Sequence, residues 1–204
     1  MNLLRTPVLP ALLAAAAAFS AAAQSPQGSD LVNALRKGGC VIVMRHASSP
    51  SAVPDKAVAN PDNTKPERQL DETGRATASA MGKALRELKI PVGAVLSSPT
   101  YRALETVKFA QFPTPQPVPE LGDNGQSMQG GTAAQAEWLR KQVTQFPAGS
   151  NTVLVTHLPN LTGAFPELAA GMGDGEALIF ANDGKGGARM LARVKIDAWA
   201  KLQP

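Results

Sequence analysis

The chain has 204 residues, 44% of them hydrophobic, and a formal charge of +4 from 20 basic and 16 acidic side chains. Nucleic-acid binding wants a concentrated basic stripe or an aromatic stacking platform, but the basic residues are scattered and the aromatics are only two Trp, one Tyr and six Phe. Cys40 is the single cysteine, so no internal disulfide can form.

The first stretch, "MNLLRTPVLPALLAAAAAFSAAAQ", places Arg5 before a Leu/Ala run that ends in Ala21-Ala22-Ala23. A cationic start, an apolar middle and a small-residue cleavage site predict a secretory signal peptide over 1–23 and a periplasmic or secreted protein. Its apolar core is broken by Pro7 and Pro10, whereas a spanning helix needs about 20 apolar residues. No stable membrane insertion is therefore expected after cleavage. Residues 24–204, about 180 in all, have the size of one domain with a sizeable core.

Along that domain the punctuation is regular. "SDLVNALRKGG" reads as a short helix, with Ser29/Asp30 at its start, Leu31 and Leu35 on one face and Gly38 as terminator. "CVIVM" is apolar throughout, as strands buried on both sheet faces are. Asp71 opens a helix in which Met81, Leu85 and Leu88 recur with helical period. "VGAVLSS" is a second strand, and "PTYRALETVKFA" a helix with Ser98 as its expected cap and Pro99 in the first turn. Thr132 and Gln135 form a capping-box pattern before "AEWLRKQVTQF". "TVLVT" is a third buried strand. "EALIFAN" and "ARMLARVKI", joined by "DGKGG", read as an antiparallel hairpin, after which Asp197 is expected to cap a closing turn.

Strands alternating with helices predict a three-layer α/β/α sandwich with a mostly parallel central sheet and an antiparallel edge. Two proline-rich segments, 47–69 and 112–131, carry no regular pattern and are expected to be functional loops.

Ligands of open α/β sheets bind outside the carboxyl ends of the strands. Those ends carry Arg45-His46, then Ser97-Ser98 leading to Arg102, then His157. Arg102 falls in the first turn of a helix, where the macrodipole disfavours a cation unless an anion sits there too. A solvated arginine paired with Glu105 three residues on is the alternative. Arg45, His46, Arg102 and His157 together are suited to a phosphoryl group.

Other chemistries lack their residues. Two distant histidines and one cysteine do not make a usual zinc set, and neither a G-x-x-x-x-G-K-[ST] loop nor a G-x-S-x-G elbow is present. "GMGDG" at 171–175 reads as a glycine turn. No metal and no cofactor are expected.

"VMRHA" after a strand, "LDETGRATA" opening a helix, "LSSPTYRALET" and "VTHLPNL" together resemble the histidine phosphatase superfamily, the fold of phosphoglycerate mutase and its phosphatase relatives. The likeness is greatest to the small exported phosphatases and spans roughly residues 31–196. Ala47 stands where the commonest form of the first motif has Gly. The resemblance implies that His46 is the phosphorylated nucleophile and that Arg45, Arg102 and a protonated His157 bind the phosphoryl group. Arg68 resembles an arginine that precedes this helix in many relatives.

The activity implied is metal-independent hydrolysis of a phosphomonoester through a phosphohistidine. Its substrate is expected to be a small phosphorylated molecule or a phosphorylated glycan. A mutase using the same intermediate and a non-catalytic phosphate- or glycan-binding module are the alternatives. A leaving alkoxide needs a proton, and relatives often supply it from the segment that here reads "PVPELGDNGQ". Glu120 is the first choice for that acid and Asp123 the second, with Glu105 expected to orient Arg102.

Overall fold

The computed structural model describes residues 28–123 and 132–203. The leader expected over 1–23 and the part of the second proline-rich segment at 124–131 lie outside them. Strand β1 (Cys40–Arg45) occupies the middle of a six-stranded sheet, ordered β3-β2-β4-β1-β5-β6. Its parallel neighbour β4 (Asn151–Thr156) pairs Val41 with Thr152 through Arg45 with Thr156. β2 (Val92–Ser97) and the two-residue β3 (Gln116–Pro117) continue the parallel run. On the other side β5 (Ala177–Asn182) and β6 (Ala188–Val194) form the hairpin, with β5 antiparallel to β1.

Side chains of β1 alternate between two apolar layers. Ile42 and Met44 pack toward α1 (Gly28–Lys37), α2 (Glu72–Glu87) and α3 (Tyr101–Ala110). Val41 and Val43 pack toward α4 (Ala133–Gln142) and α5 (Leu158–Ala164). This is the expected three-layer sandwich, and the double burial explains why β1 and β4 read as unbroken apolar runs. Cys40 begins β1 as a buried free thiol, at the end opposite Arg45. Among the described residues no helix is long and apolar enough to cross a membrane.

Buried Asn151 closes the lower end of the sheet. Its amide donates to Leu35 O and Pro91 O, both at 2.8 Å, while Oδ1 accepts from Cys40 N at 3.2 Å. At the upper end, Asp71 caps α2 by accepting from Gly74 N at 2.6 Å. The same carboxylate accepts from Ser48 Oγ at 2.7 Å, and Asp71 N donates to Ser48 O at 3.1 Å. The chain leaving β1 is thus clamped to the start of α2.

Local boundaries differ from expectation at three places. α3 begins at Tyr101 and Thr100 takes the cap position, because Ser98 N still pairs with Val155 O and prolongs the strand. α5, with Pro159 in its first turn, was too short to show a period. Lys195 rather than Asp197 precedes the closing 3-10 turn, and Asp197 pairs with Lys201 at 2.9 Å. Segment 47–69 contains no helix or strand yet is well tied down: Asn63 brackets Glu67, Asn60 bonds Glu105, and Tyr101 N donates to Glu67 at 2.9 Å.

A Cβ on Gly74 would lie 2.1 Å from Ser48 O, whereas one on Gly28 would meet nothing within 4 Å. Gly74→Ala should therefore push α2 off the loop that follows His46 and destabilise the fold by about 1–3 kcal/mol. Gly28→Ala should leave the denaturation midpoint unchanged or slightly raised. Equal midpoints for the two variants in urea titrations would contradict this packing.

Candidate active site

Where β1 outruns its partner, His46 N makes a last bond to Thr156 O at 3.0 Å and the side chain turns onto the strand ends. The His46 ring is 3% exposed. Its Nδ1 lies 2.8 Å from Ala47 O, so Nδ1 carries the proton and Nε2 keeps its lone pair. Thr106 holds this corner, accepting from Ala47 N at 3.0 Å and donating to Arg102 O at 2.9 Å. Ala47 is fully buried there. Burial, more than the neighbouring cations, holds the His46 pKa well below the ordinary histidine range. The ring is a neutral nucleophile in form.

Arg102, at the second position of α3, is 1% exposed. Its Nε donates to His46 Nε2 at 3.2 Å, and one Nη reaches both Asp123 and, at 3.0 Å, His157 Nδ1. Glu105 does not orient this arginine. It faces the other way, accepting from Leu70 N at 2.6 Å and Asn60 at 2.8 Å, so it anchors the 47–69 loop instead.

His157 precedes α5 and meets His46 edge-on, with ring centroids 5.2 Å apart. Because Nδ1 accepts from Arg102, the proton resides on Nε2, which donates to Ser98 Oγ at 2.8 Å. Burial first, then Arg102, lowers its pKa to about 3. The free site therefore holds His157 neutral, where a protonated donor was expected.

Arg45 lies nearer solvent. One Nη donates to Met172 O at 3.2 Å and the other pairs with Asp174 at 2.6 Å. Arg68 is held by Pro50 O and Ser49 O at 2.6 and 3.0 Å, within electrostatic reach of Arg45, Arg102, Asp123 and Asp174. Glu120 is exposed on a 3-10 turn, and its carboxylate makes no hydrogen bond or ion pair among the described residues. Asp123 is buried against Arg102.

The structure thus joins His46, Arg45, Arg102 and His157, and leaves the Glu120 side chain apart from them. Asp174 and Thr106 were missed. Asp174 sat inside a glycine turn set aside as punctuation, and its acidic residue between two glycines just before the hairpin was the available signal. Among the described residues no group of three or more His, Cys, Asp or Glu is placed to hold a metal ion.

Known proteins share this sandwich and parts of its strand-end sequence. The model of the histidine phosphatase superfamily (branch 1) matches residues 41–123. The match and the fold together show similarity to that superfamily over a stretch that includes Arg45, His46 and Arg102. His157 lies beyond the matched stretch, so its membership of the site rests on geometry. The protein histidine phosphatase SixA complexed with tungstate is 18% identical with a TM-score of 0.55, covering 77% of this chain and 97% of that one. A putative phosphohistidine phosphatase SixA from Agrobacterium tumefaciens is 17% identical with a TM-score of 0.52, covering 78% and 99%. A phosphoserine phosphatase mutant from Entamoeba histolytica in complex with phosphoserine is 14% identical with a TM-score of 0.52, covering 77% and 97%. No curated protein sequence matches the chain.

His46 and His157 are the only histidines. Both have depressed pKa values when folded, so below about pH 6.5 the unfolded chain binds protons that the native state refuses. Each histidine should then remove up to about 1.4 kcal/mol of stability per pH unit as the solution is acidified. For His157 the loss ends near pH 3. Urea midpoints measured from pH 7 to pH 5 should fall, with about half the slope in His157→Gln. A flat profile would mean that the rings are already protonated in the native state.

Proposed function

We propose that the protein is a phosphatase that hydrolyses phosphomonoesters through a covalent phosphohistidine on His46. The observation that carries this reading is a pair of unpaired N–H donors. Arg45 Nε and Arg102 Nη1 are buried, and neither has a hydrogen-bond partner among the described residues. A buried guanidinium N–H left unpaired is costly, and the oxygens of a phosphoryl group beside His46 would satisfy both.

Arg102 Nε, which donates to His46 Nε2 in the free site, turns to a phosphoryl oxygen and frees that lone pair to attack phosphorus in line; the N–P bond forms as the bond to the leaving oxygen breaks. Nδ1 keeps its hydrogen bond to Ala47 O, which holds the ring in its attacking tautomer. Arg45 and Arg102 spread the charge of the equatorial oxygens, the main source of catalysis in phosphoryl transfer. A dianion beside His157 favours its protonation, which turns Nδ1 from an acceptor into a donor. Water then cleaves the N–P bond, releasing phosphate and restoring neutral His46. The guanidinium groups meet the charge requirement without a metal ion.

The signal-like stretch at 1–23 supports action in the periplasm or outside the cell. A small phosphorylated molecule or a phosphorylated glycan remains the proposed substrate. The names of the structural relatives make phosphohistidine and phosphoserine the first compounds to try.

His46→Ala should reduce turnover to background, and Arg45→Ala and Arg102→Ala should each lower kcat about 10²–10³-fold. Rapid quench of the wild type should trap an acid-labile, alkali-stable phosphoenzyme. Chelators should leave the rate unchanged and vanadate should inhibit. Full activity in His46→Ala would end this reading, and phosphoryl transfer to an added acceptor in place of water would make the protein a mutase.

A further inference from the structure

An alkoxide leaving group needs a proton, and His46 cannot give one while it attacks. All 16 acidic residues of the chain lie among the described residues. Glu105 is taken up by Leu70 N and Asn60, Asp71 by the start of α2, and Glu67 by Tyr101 N. Asp123 lies on the floor against Arg102, with a side chain 3% exposed. That buried ion pair keeps it from a leaving group that departs toward solvent. Glu120 is solvated and touches none of the four site residues.

Asp174 is placed differently. Its carboxylate is 2.6 Å from Arg45 Nη2, and the two side chains are 34% and 21% exposed. His46, Arg102 and His157 are 3%, 1% and 2% exposed. The nucleophile is therefore sealed from solvent, while Asp174, joined to the site through Arg45, keeps partial access to it. In-line attack by a buried nitrogen sends the departing oxygen outward.

The loop that carries Asp174 is fastened to the nucleophile's own backbone. Gly175 N donates to His46 O at 2.9 Å, and Arg45 N donates to Glu176 O at 3.1 Å. Gly175 has φ +69, and a Cβ there would lie 2.5 Å from Ile196. Gly173 N donates to Glu176 at 2.8 Å, and Glu176 is itself paired with Arg193 at 2.8 Å.

Building on the phosphohistidine reading, we propose that Asp174 is the general acid of the reaction. The Asp174 carboxyl gives its proton to the ester oxygen as the P–O bond breaks and the N–P bond to His46 forms. The resulting carboxylate then takes a proton from the water that attacks the phosphohistidine, so the acid is restored with each turnover. Burial already holds this carboxyl above the usual aspartate range, against the opposing pull of Arg45 and Arg68. A phosphoryl dianion on Arg45 would offset that pull and favour the protonated form at the moment it is needed.

The test compares wild type, Asp174→Asn and Glu120→Gln on an alkyl phosphate, phosphoserine, and on p-nitrophenyl phosphate, whose phenolate leaves unaided. Rapid-quench measurement of the phosphoenzyme accompanies both substrates. Asp174→Asn should lower kcat/KM for phosphoserine about 10²–10³-fold, with less than about a tenfold effect on phosphorylation by the aryl ester. It should also accumulate phosphohistidine from the aryl ester, since the water step has lost its base, and Asp174→Glu should restore part of the phosphoserine activity. Equal losses on both substrates would show that Asp174 only positions Arg45, and would overturn the proposal while leaving the phosphohistidine intact. Selective loss in Glu120→Gln instead would transfer the role to that residue. Absence of a phosphoenzyme in the wild type would remove the underlying mechanism as well.

Discussion

Arg102 is a guanidinium with almost no access to water, and much of the site is arranged around satisfying it. A fully buried cation is tolerated only when it is paired and hydrogen-bonded. Asp123 supplies the counter-charge, His46 Nε2 and His157 Nδ1 accept two further bonds, and Nη1 has no hydrogen-bond partner among the described residues. The position at the second residue of α3 adds a positive helix terminus to the same spot. Two neutral histidines and a buried cation with a spare donor are the electrostatic basis of the proposed phosphoryl site. The cation also accounts for part of the low proton affinity of both rings.

The remaining architecture keeps that cluster dry and in register. β1 and β4 deliver His46 and His157 from adjacent parallel strands, and the backbone bond from His46 N to Thr156 O sets their relative height. α3 must lie close to this seam for Arg102 to reach it. Thr106, one turn further along, bonds to Ala47 N and so fixes the distance between helix and strand end. The small side chain of Ala47 is required by the same approach. Around the rim, Glu105 is the internal anchor of the loop between β1 and α2, its buried carboxylate replacing backbone partners that the loop lacks. A segment without regular structure is ordered in this way by side chains of Asn60, Asn63, Glu67 and Gln69.

Charge is distributed in depth. Each of the two arginines has its own carboxylate, Asp123 in a deeper, lower pair and Asp174 in an outer, upper one. The lower pair is sealed from water and serves to hold a guanidinium. The upper pair is half open, where screening weakens an ion pair and exchange with a ligand is easy. Two similar Arg–Asp contacts thus have different chemical capacities, decided by burial alone.

The elements were legible where the signal is local. Apolar runs marked β1 and β4, the 132–135 capping box marked α4, and Asp71 marked the start of α2, because each depends on neighbours within one turn or one strand. The strand-end placement of Arg45, His46, Arg102 and His157 followed from the α/β alternation, since that topology dictates which ends share an edge. Glu105 looked from the sequence like a partner for Arg102; in the fold they separate, because residues three apart on a short helix can be drawn to different neighbours. The neutral state of His157, the burial of Asp123 against Arg102 and the approach of Asp174 to Arg45 join residues distant in the chain, 55, 21 and 129 positions apart respectively. Residue types, their order and the fold class were determined by the sequence itself. Which carboxylate meets which arginine, and which proton each histidine carries, was decided only when tertiary packing removed water and left each polar atom with a short list of partners.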